Sequence, residues 1–152
     1  MKVTDYLVKE RVALNLSASN KKEAINQLGL LLRDSDAVTE YDQFIADVFK
    51  REALTSTGVG HFVAIPHART NAVNDFIIAF GRISEGIEFD AIDKKPVKLV
   101  FLMGTPEKKG LSGYMKILAS LSRRLEKEDF REALLKASSA EEVINEFKKF
   151  EV

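Results

Sequence analysis

The run Val97-Lys98-Leu99-Val100-Phe101-Leu102-Met103 constrains this chain more than any other segment. It is short, nearly continuous in apolar residues, and follows a turn signal at Asp93 to Pro96. At that length it reads as a strand, and a strand apolar on both faces sits inside a sheet covered by helices on both sides. It carries Lys98 and is far too short to span a bilayer. The rest of the chain must therefore supply helices for two faces of one sheet.

The periodicity supplies them. Asn20, with Glu23 in capping-box position, opens a helix that carries Ile25, Leu28 and Leu32 on one face and ends near Arg33 or Asp34. A second helix after Thr39 carries the stripe Tyr41, Phe44, Ile45, Val48 and Phe49. Gly110 to Gly113 leads into a third, from Tyr114 to about Glu126, with Met115, Leu118, Leu121 and Leu125 along one face. One shorter helix surrounds Phe130, Leu134 and Leu135, and another is capped by Ser139 with Glu142 and carries Val143, Ile144 and Phe147. Strands are expected at Arg11 to Leu16, Phe62 to Ile65 and Phe76 to Phe80, with turns at Gly81 and Gly86 before a short strand Ile87-Glu88-Phe89. No repeat or flexible linker interrupts the pattern. Helices before, between and after strands mean an α/β layered fold, expected as a single domain over residues 1–152.

The chemistry concentrates between Arg51 and Ala68, in REALTSTGVGHFVAIPHA. This stretch ends the second helix, crosses a loop rich in hydroxyls and glycine, and runs through Phe62-Val63-Ala64-Ile65 to Pro66-His67. Proline fixes its own φ and cannot donate to a ladder, so it is expected to close the strand and begin a turn. His67 is thereby presented at the strand's end, where open α/β sheets place their chemistry. A neutral imidazole is a nucleophile near pH 7 and can carry a covalent group. Thr55, Ser56 and Thr57 offer hydroxyl donors, and Gly58 and Gly60 let backbone N–H groups approach an oxyanion. Arg51, on the last helical turn, supplies a charged fork matched to phosphate oxygens. Each taken singly has a structural explanation; the combination points to phosphate. His61 is expected at the mouth of the same pocket, and its spacing from His67 does not suit a metal pair.

Composition narrows the classes. Basic and acidic residues balance at 23 each, which leaves no basic excess to hold nucleic acid. Any phosphate chemistry must then rest on local donors. The chain has no cysteine, which removes disulfides, thiolate catalysis and thiolate metal sites together. Neither a Gly-x-Ser-x-Gly elbow nor a Gly-x-x-x-x-Gly-Lys-Ser/Thr loop occurs. The charged, alternating start, Met1 to Glu10, does not read as a signal peptide, and a cytoplasmic address without direct membrane insertion is expected.

The run from Arg51 to Ala68 resembles the signature of the type-2 enzyme IIA domains of the bacterial phosphoenolpyruvate-dependent phosphotransferase system. These comprise the fructose/mannitol class and the nitrogen-regulatory IIA proteins. The likeness is densest around TSTGVG and AIPHA, and continues in Ile87-Glu88-Phe89-Asp90-Ala91-Ile92-Asp93 and Pro96-Val97. The resemblance implies a three-layer fold with a mixed sheet flanked by helices. It also implies a phosphoryl relay. His67 falls on the phosphorylated histidine, which accepts from phospho-HPr and passes the group to a IIB component. Arg51 falls on an arginine that steadies the phosphoryl oxygens, and no metal or nucleotide cofactor is needed. One position departs from the pattern. Where family members carry a second histidine at the start of a helix, this chain has Tyr114, a hydrogen-bond donor that does not become a cation at neutral pH.

Two functions from different classes are consistent with these residues. One is a phosphoryl carrier in sugar uptake; the other is a regulator whose phosphorylation on His67 controls binding to partner proteins. A bare interaction domain is the third expectation, holding only if His67 proves buried and unreactive. A docking surface for HPr and IIB is expected around His67, with Phe62 and the Val59-Gly60-His61 edge as its candidates on position.

Overall fold

The computed structural model describes residues 1–151. Its centre is a mixed sheet of β1 (Val12–Ala13), β2 (Gly58–Gly60), β3 (Val63–Ala64), β4 (His67–Thr70), β5 (Ile77–Ile87) and β6 (Val97–Pro106). The order is β1-β5-β6-β3-β2, and β4 also pairs with β6. Strand β6 runs parallel to β3 and β4 on one side and antiparallel to β5 on the other. It is the interior strand its composition requires.

The alternation along β6 divides the core. Val100 and Leu102 face α1 (Lys21–Leu32) and α2 (Tyr41–Leu54), where Ile25, Leu28, Leu32, Phe44 and Val48 are fully buried. Leu99, Phe101 and Met103 face the opposite layer of α3 (Gly110–Leu125), α4 (Glu128–Lys136) and α5 (Ala140–Lys148). There Ile117, Leu121, Phe130, Leu134, Val143 and Phe147 close the second core. The two caps form as expected: Asn20 accepts from the Glu23 N–H at 2.9 Å, and Ser139 accepts from the Glu142 N–H at 3.2 Å. The arrangement is the expected three-layer α/β fold with a mixed sheet.

Several boundaries differ from the sequence expectation. Pairing at the first strand extends only over Val12–Ala13, opposite Phe80 and Gly81. Gly81 is not a turn: β5 runs on to Ile87, and a side chain at Gly81 would meet Leu16 and Leu28 at 2.8 Å. Glycine here makes room for α1. Phe89 lies beyond β5 and is fully buried among the residues of the α1 and α2 core. Helix α3 starts earlier than expected and buries Ile117, whereas Met115 is exposed. Gly113 belongs inside that helix because a Cβ there would meet Phe76 at 2.8 Å. The loop glycines Gly58 to Gly60 form a strand of their own, paired antiparallel with β3.

The strand ending at Pro66 is also revised. Beyond Pro66 the chain continues in the same direction as β4, in register along β6, with Ala64 opposite Val100 and His67 opposite Met103. Proline is tolerated because only its acceptor is needed there, its carbonyl taking the Met103 N–H at 3.0 Å. His67 therefore opens a strand, and does not sit on a turn.

Candidate functional site

Among the described residues strand β4 pairs with β6 alone, so its outer side is a free edge. Helix α2 on one face of the sheet and α3 on the other both reach that edge. Between them lies a depression of about 390 Å³ lined in part by Lys50, Arg51, Leu54, His67, Arg69 and Tyr114. Asp47, Glu107 and Leu111 complete much of its wall. Strand alternation places His67 and Arg69 on the same side of β4, while Thr70 is turned to α2 and donates to Asp47 at 2.6 Å. Asp47 also accepts from Gln43 of the same helix at 2.8 Å, and it is the Thr70 bond that ties α2 to β4.

The His67 ring is buried, with 7% of the residue exposed, and both nitrogens are engaged. Nδ1 lies 2.8 Å from the Ile65 carbonyl oxygen. A carbonyl only accepts, so Nδ1 carries the proton. Nε2 lies 3.0 Å from the Tyr114 hydroxyl. In the neutral ring Nε2 has a lone pair and no proton, so Tyr114 is the donor. Burial lowers the His67 pKa below its ordinary value, and the nearby Arg51 charge acts in the same direction, against the Ile65 hydrogen bond and Glu52. The resting residue is a neutral imidazole in one defined tautomer.

Arg51 stands on the last turn of α2, and its guanidinium donates to the Thr55 carbonyl at 2.8 Å. The depression thus brings together His67, Arg51 and Tyr114, and adds Lys50 and Arg69. The hydroxyl and glycine run is not brought there. Thr55 is exposed and donates to the Leu54 carbonyl at 2.7 Å. Ser56 donates to the Phe89 carbonyl at 2.5 Å and accepts the Gly58 N–H at 3.1 Å. Thr57 is buried, and both its N–H (2.8 Å) and its hydroxyl (2.5 Å) are given to Glu52. Gly58 is bare because a Cβ would meet Ala91 at 2.8 Å. These donors build the loop, and have no spare valence for an anion in this arrangement.

His61 is likewise not at the pocket mouth. It occupies the β2–β3 turn with φ 56°, its N–H donated to Asp93 at 3.2 Å. Phe62 is its neighbour there, its carbonyl accepting from Lys98 and Leu99 at the start of β6, whereas His67 lies opposite Met103. At about 3.3 Å per residue, that tip is roughly 16 Å along the strand from His67. Phe62 does not line the depression, whereas exposed Leu54 and Leu111 do.

Glu52 is not among the residues that the sequence motif singles out, yet it anchors the loop. It is buried at 6% exposure and joins Lys21 Nζ (3.0 Å) to the Thr57 backbone and hydroxyl. Its signal was available: Phe44, Val48 and Glu52 recur at helical spacing, so a carboxylate continues the core-facing stripe.

Sequence and fold both match known proteins. Residues 5–150 match the family model described as phosphoenolpyruvate-dependent sugar phosphotransferase system, EIIA 2. The chain is 41% identical over 134 residues to a fructose-specific EIIA component from Haloferax volcanii, covering 88% of this chain and 86% of that one. It is 31% identical over 143 residues to a nitrogen regulatory protein of Bradyrhizobium diazoefficiens, covering 94% and 92%. The crystal structure of nitrogen regulatory protein IIA-Ntr from Neisseria meningitidis superposes with a TM-score of 0.87 at 34% identity, covering 95% and 98%.

Proposed function

Because the chain belongs to the type-2 enzyme IIA family of the phosphoenolpyruvate-dependent sugar phosphotransferase system, we propose that His67 is its phosphoryl-carrying residue. In this reading Nε2 takes the group from phospho-HPr and delivers it to a IIB component of the fructose/mannitol type. The observation that carries the reading is the fixed tautomer: Ile65 holds Nδ1–H, which leaves the Nε2 lone pair at the wall of the depression.

The chemistry balances without a proton transfer. The Nε2 lone pair attacks phosphorus while the donor's N–P bond breaks and its electrons return to the donor nitrogen. The His67 ring becomes positively charged as the new N–P bond forms. The Ile65 carbonyl, already accepting Nδ1–H, stabilises that charge without reorganisation. Such transfers pass through a loose transition state whose needs are alignment and fixed positive charge. Arg51 supplies the charge, with Lys50 and Arg69 on the same wall.

The test is incubation with enzyme I, HPr and labelled phosphoenolpyruvate, then peptide mapping in alkali, which preserves phosphohistidine. Label is expected on the His67 peptide and absent from His67→Ala. An unlabelled native chain, or label persisting in His67→Ala, overturns the assignment.

A second reading is a regulator of the nitrogen-type IIA class, favoured by the TM-score of 0.87 to the Neisseria meningitidis protein. The discriminating step is the next one. Phosphorylated chain mixed with a fructose-type IIB loses its label if it is a carrier, and keeps it if it serves regulation.

A further inference from the structure

We infer that Tyr114 guards the nucleophile of this chain: its hydroxyl caps Nε2 of His67, so a small phosphoryl or acyl donor meets an occupied nitrogen and a protein that displaces Tyr114 does not. The inference rests on the proposed reading only for the identity of that protein; the cap itself is a property of the unphosphorylated chain. It deepens that reading by assigning Tyr114 a role in donor selectivity.

The geometry is specific. Nδ1–H is committed to Ile65, so the single lone pair of the neutral ring is the one that Tyr114 occupies at 3.0 Å. No second nitrogen is free to react. The Tyr114 ring lies beside the imidazole, with centroids 5.7 Å apart and planes 38° apart, so it also narrows the approach. Attack on any electrophile requires the O–H···N bond to break first, because donor proton and phosphorus compete for one lone pair. A small reagent gains nothing that offsets this loss. A protein partner does, because Tyr114 stands in the first turns of α3 between Leu111 and Met115, whose residues are 57% and 54% exposed. A surface that covers those two residues necessarily presses on Tyr114, and contact energy gained there can drive the hydroxyl off the nitrogen. Once phosphorus is attached, the displaced hydroxyl remains close enough to donate to a phosphoryl oxygen.

The experiment uses phosphoramidate, whose P–N bond breaks with ammonia leaving as the Nε2–P bond forms, on native chain, Tyr114→Phe and Tyr114→Ala, read by mass spectrometry of the His67 peptide. The exposed His61 provides the internal control for reagent activity. A net hydrogen bond of ordinary strength corresponds to about a two- to tenfold change in rate. Tyr114→Phe, which keeps the ring, is therefore expected to accelerate His67 modification about two- to tenfold with His61 unchanged. The Nε2 ¹⁵N resonance is expected to move in the same variant while Nδ1 stays protonated. With phospho-HPr as donor the acceleration is expected to be smaller, because the partner already displaces the hydroxyl. Equal rates in native chain and Tyr114→Phe overturn the inference. So does acceleration confined to Tyr114→Ala, which would assign the protection to the ring and not the hydroxyl. Equal acceleration with both donors overturns the selectivity. If phospho-HPr labels none of the chains, the proposed function fails, and the phosphoramidate rates still decide the cap.

Discussion

The Ile65 carbonyl oxygen lies 2.8 Å from Nδ1 of His67, two residues ahead of it and across the only proline in the segment. The Ile65-Pro66 step keeps the two strands in register with β6 while leaving that carbonyl free to orient the ring. A backbone acceptor so close in sequence makes the tautomer largely a local property, which Tyr114 of α3 reinforces from the Nε2 side. The burial that accompanies it lowers the His67 pKa below the ordinary 6.5. The sign for stability follows: between the lowered folded value and about 6.5 the unfolded chain binds more protons, so stability rises with pH there. The stabilisation is present above about pH 6.5 and is lost as pH falls toward the folded pKa. An NMR titration should place the His67 midpoint below 6.5. Urea denaturation from pH 5 to 7 should show a shallower pH dependence in His67→Ala than in native chain; identical slopes would contradict this account.

Glu52 is the second element of the site's foundation. Its carboxylate receives Lys21 from α1 and two donors from Thr57, and so ties α1, the exit of α2 and the start of β2 together. Removing one partner of a buried ion pair leaves the other uncompensated, at about 3–5 kcal/mol. Lys21 retains 23% side-chain exposure, which puts Glu52→Ala at the low end, about 3 kcal/mol. Glu52→Gln keeps the shape and should lose less. Denaturant midpoints check this, and a change under about 1 kcal/mol in Glu52→Ala would mean that water replaces the carboxylate.

Much of this is legible in the sequence. The interior strand, both helix layers and two caps follow from period and capping chemistry, and the motif holds both Arg51 and His67, which line one depression. The use of the loop donors is not legible in the sequence. Hydroxyl and glycine residues serve loop building and ligand binding with the same atoms, and sequence does not say where those atoms are spent. Thr57 spends both donors on Glu52, and Gly58 spends its missing side chain on Ala91. Gly81 likewise carries a turn signal in sequence, although it is bare to admit Leu16 and Leu28. The register of Pro66 was hidden because an acceptor-only residue is tolerated wherever the ladder needs just a carbonyl. Tyr114 as the partner of Nε2 depends on α3 packing across the sheet edge, a long-range contact that no local pattern encodes.

Gly58 separates the two uses directly. A methyl group there would stand 2.8 Å from the Cα and Cβ of Ala91, which is buried, takes the Lys94 N–H on its carbonyl and is followed by Ile92, whose N–H is given to the Gly58 carbonyl. Backbone on both sides must move, and overpacking of this kind costs about 1–3 kcal/mol. Gly58→Ala should therefore lower stability by about 2 kcal/mol. The phosphorylation rate of the folded fraction should stay near native. A large rate loss at unchanged stability would return Gly58 to the role of an oxyanion contact.

Arg51 tests the charge on the other side of the depression. Its guanidinium is anchored to the Thr55 carbonyl at 2.8 Å, so it is held at the α2 exit in place of sweeping through solvent. Fixed donors aimed at developing charge contribute on the order of 100-fold in rate when one is removed. Arg51→Ala should lower phosphoryl uptake from phospho-HPr by that order, with a smaller loss in Arg51→Lys, which keeps the charge but not the planar fork. The same substitution makes an independent prediction in the unphosphorylated chain. Arg51 helps to hold the His67 pKa down, so Arg51→Ala should raise it. Fold stability should change little, since an exposed hydrogen bond of this kind contributes about 1 kcal/mol. A slow variant with an unmoved His67 titration would place Arg51 on the donor protein's side of the transfer, and a native rate would remove it from the site.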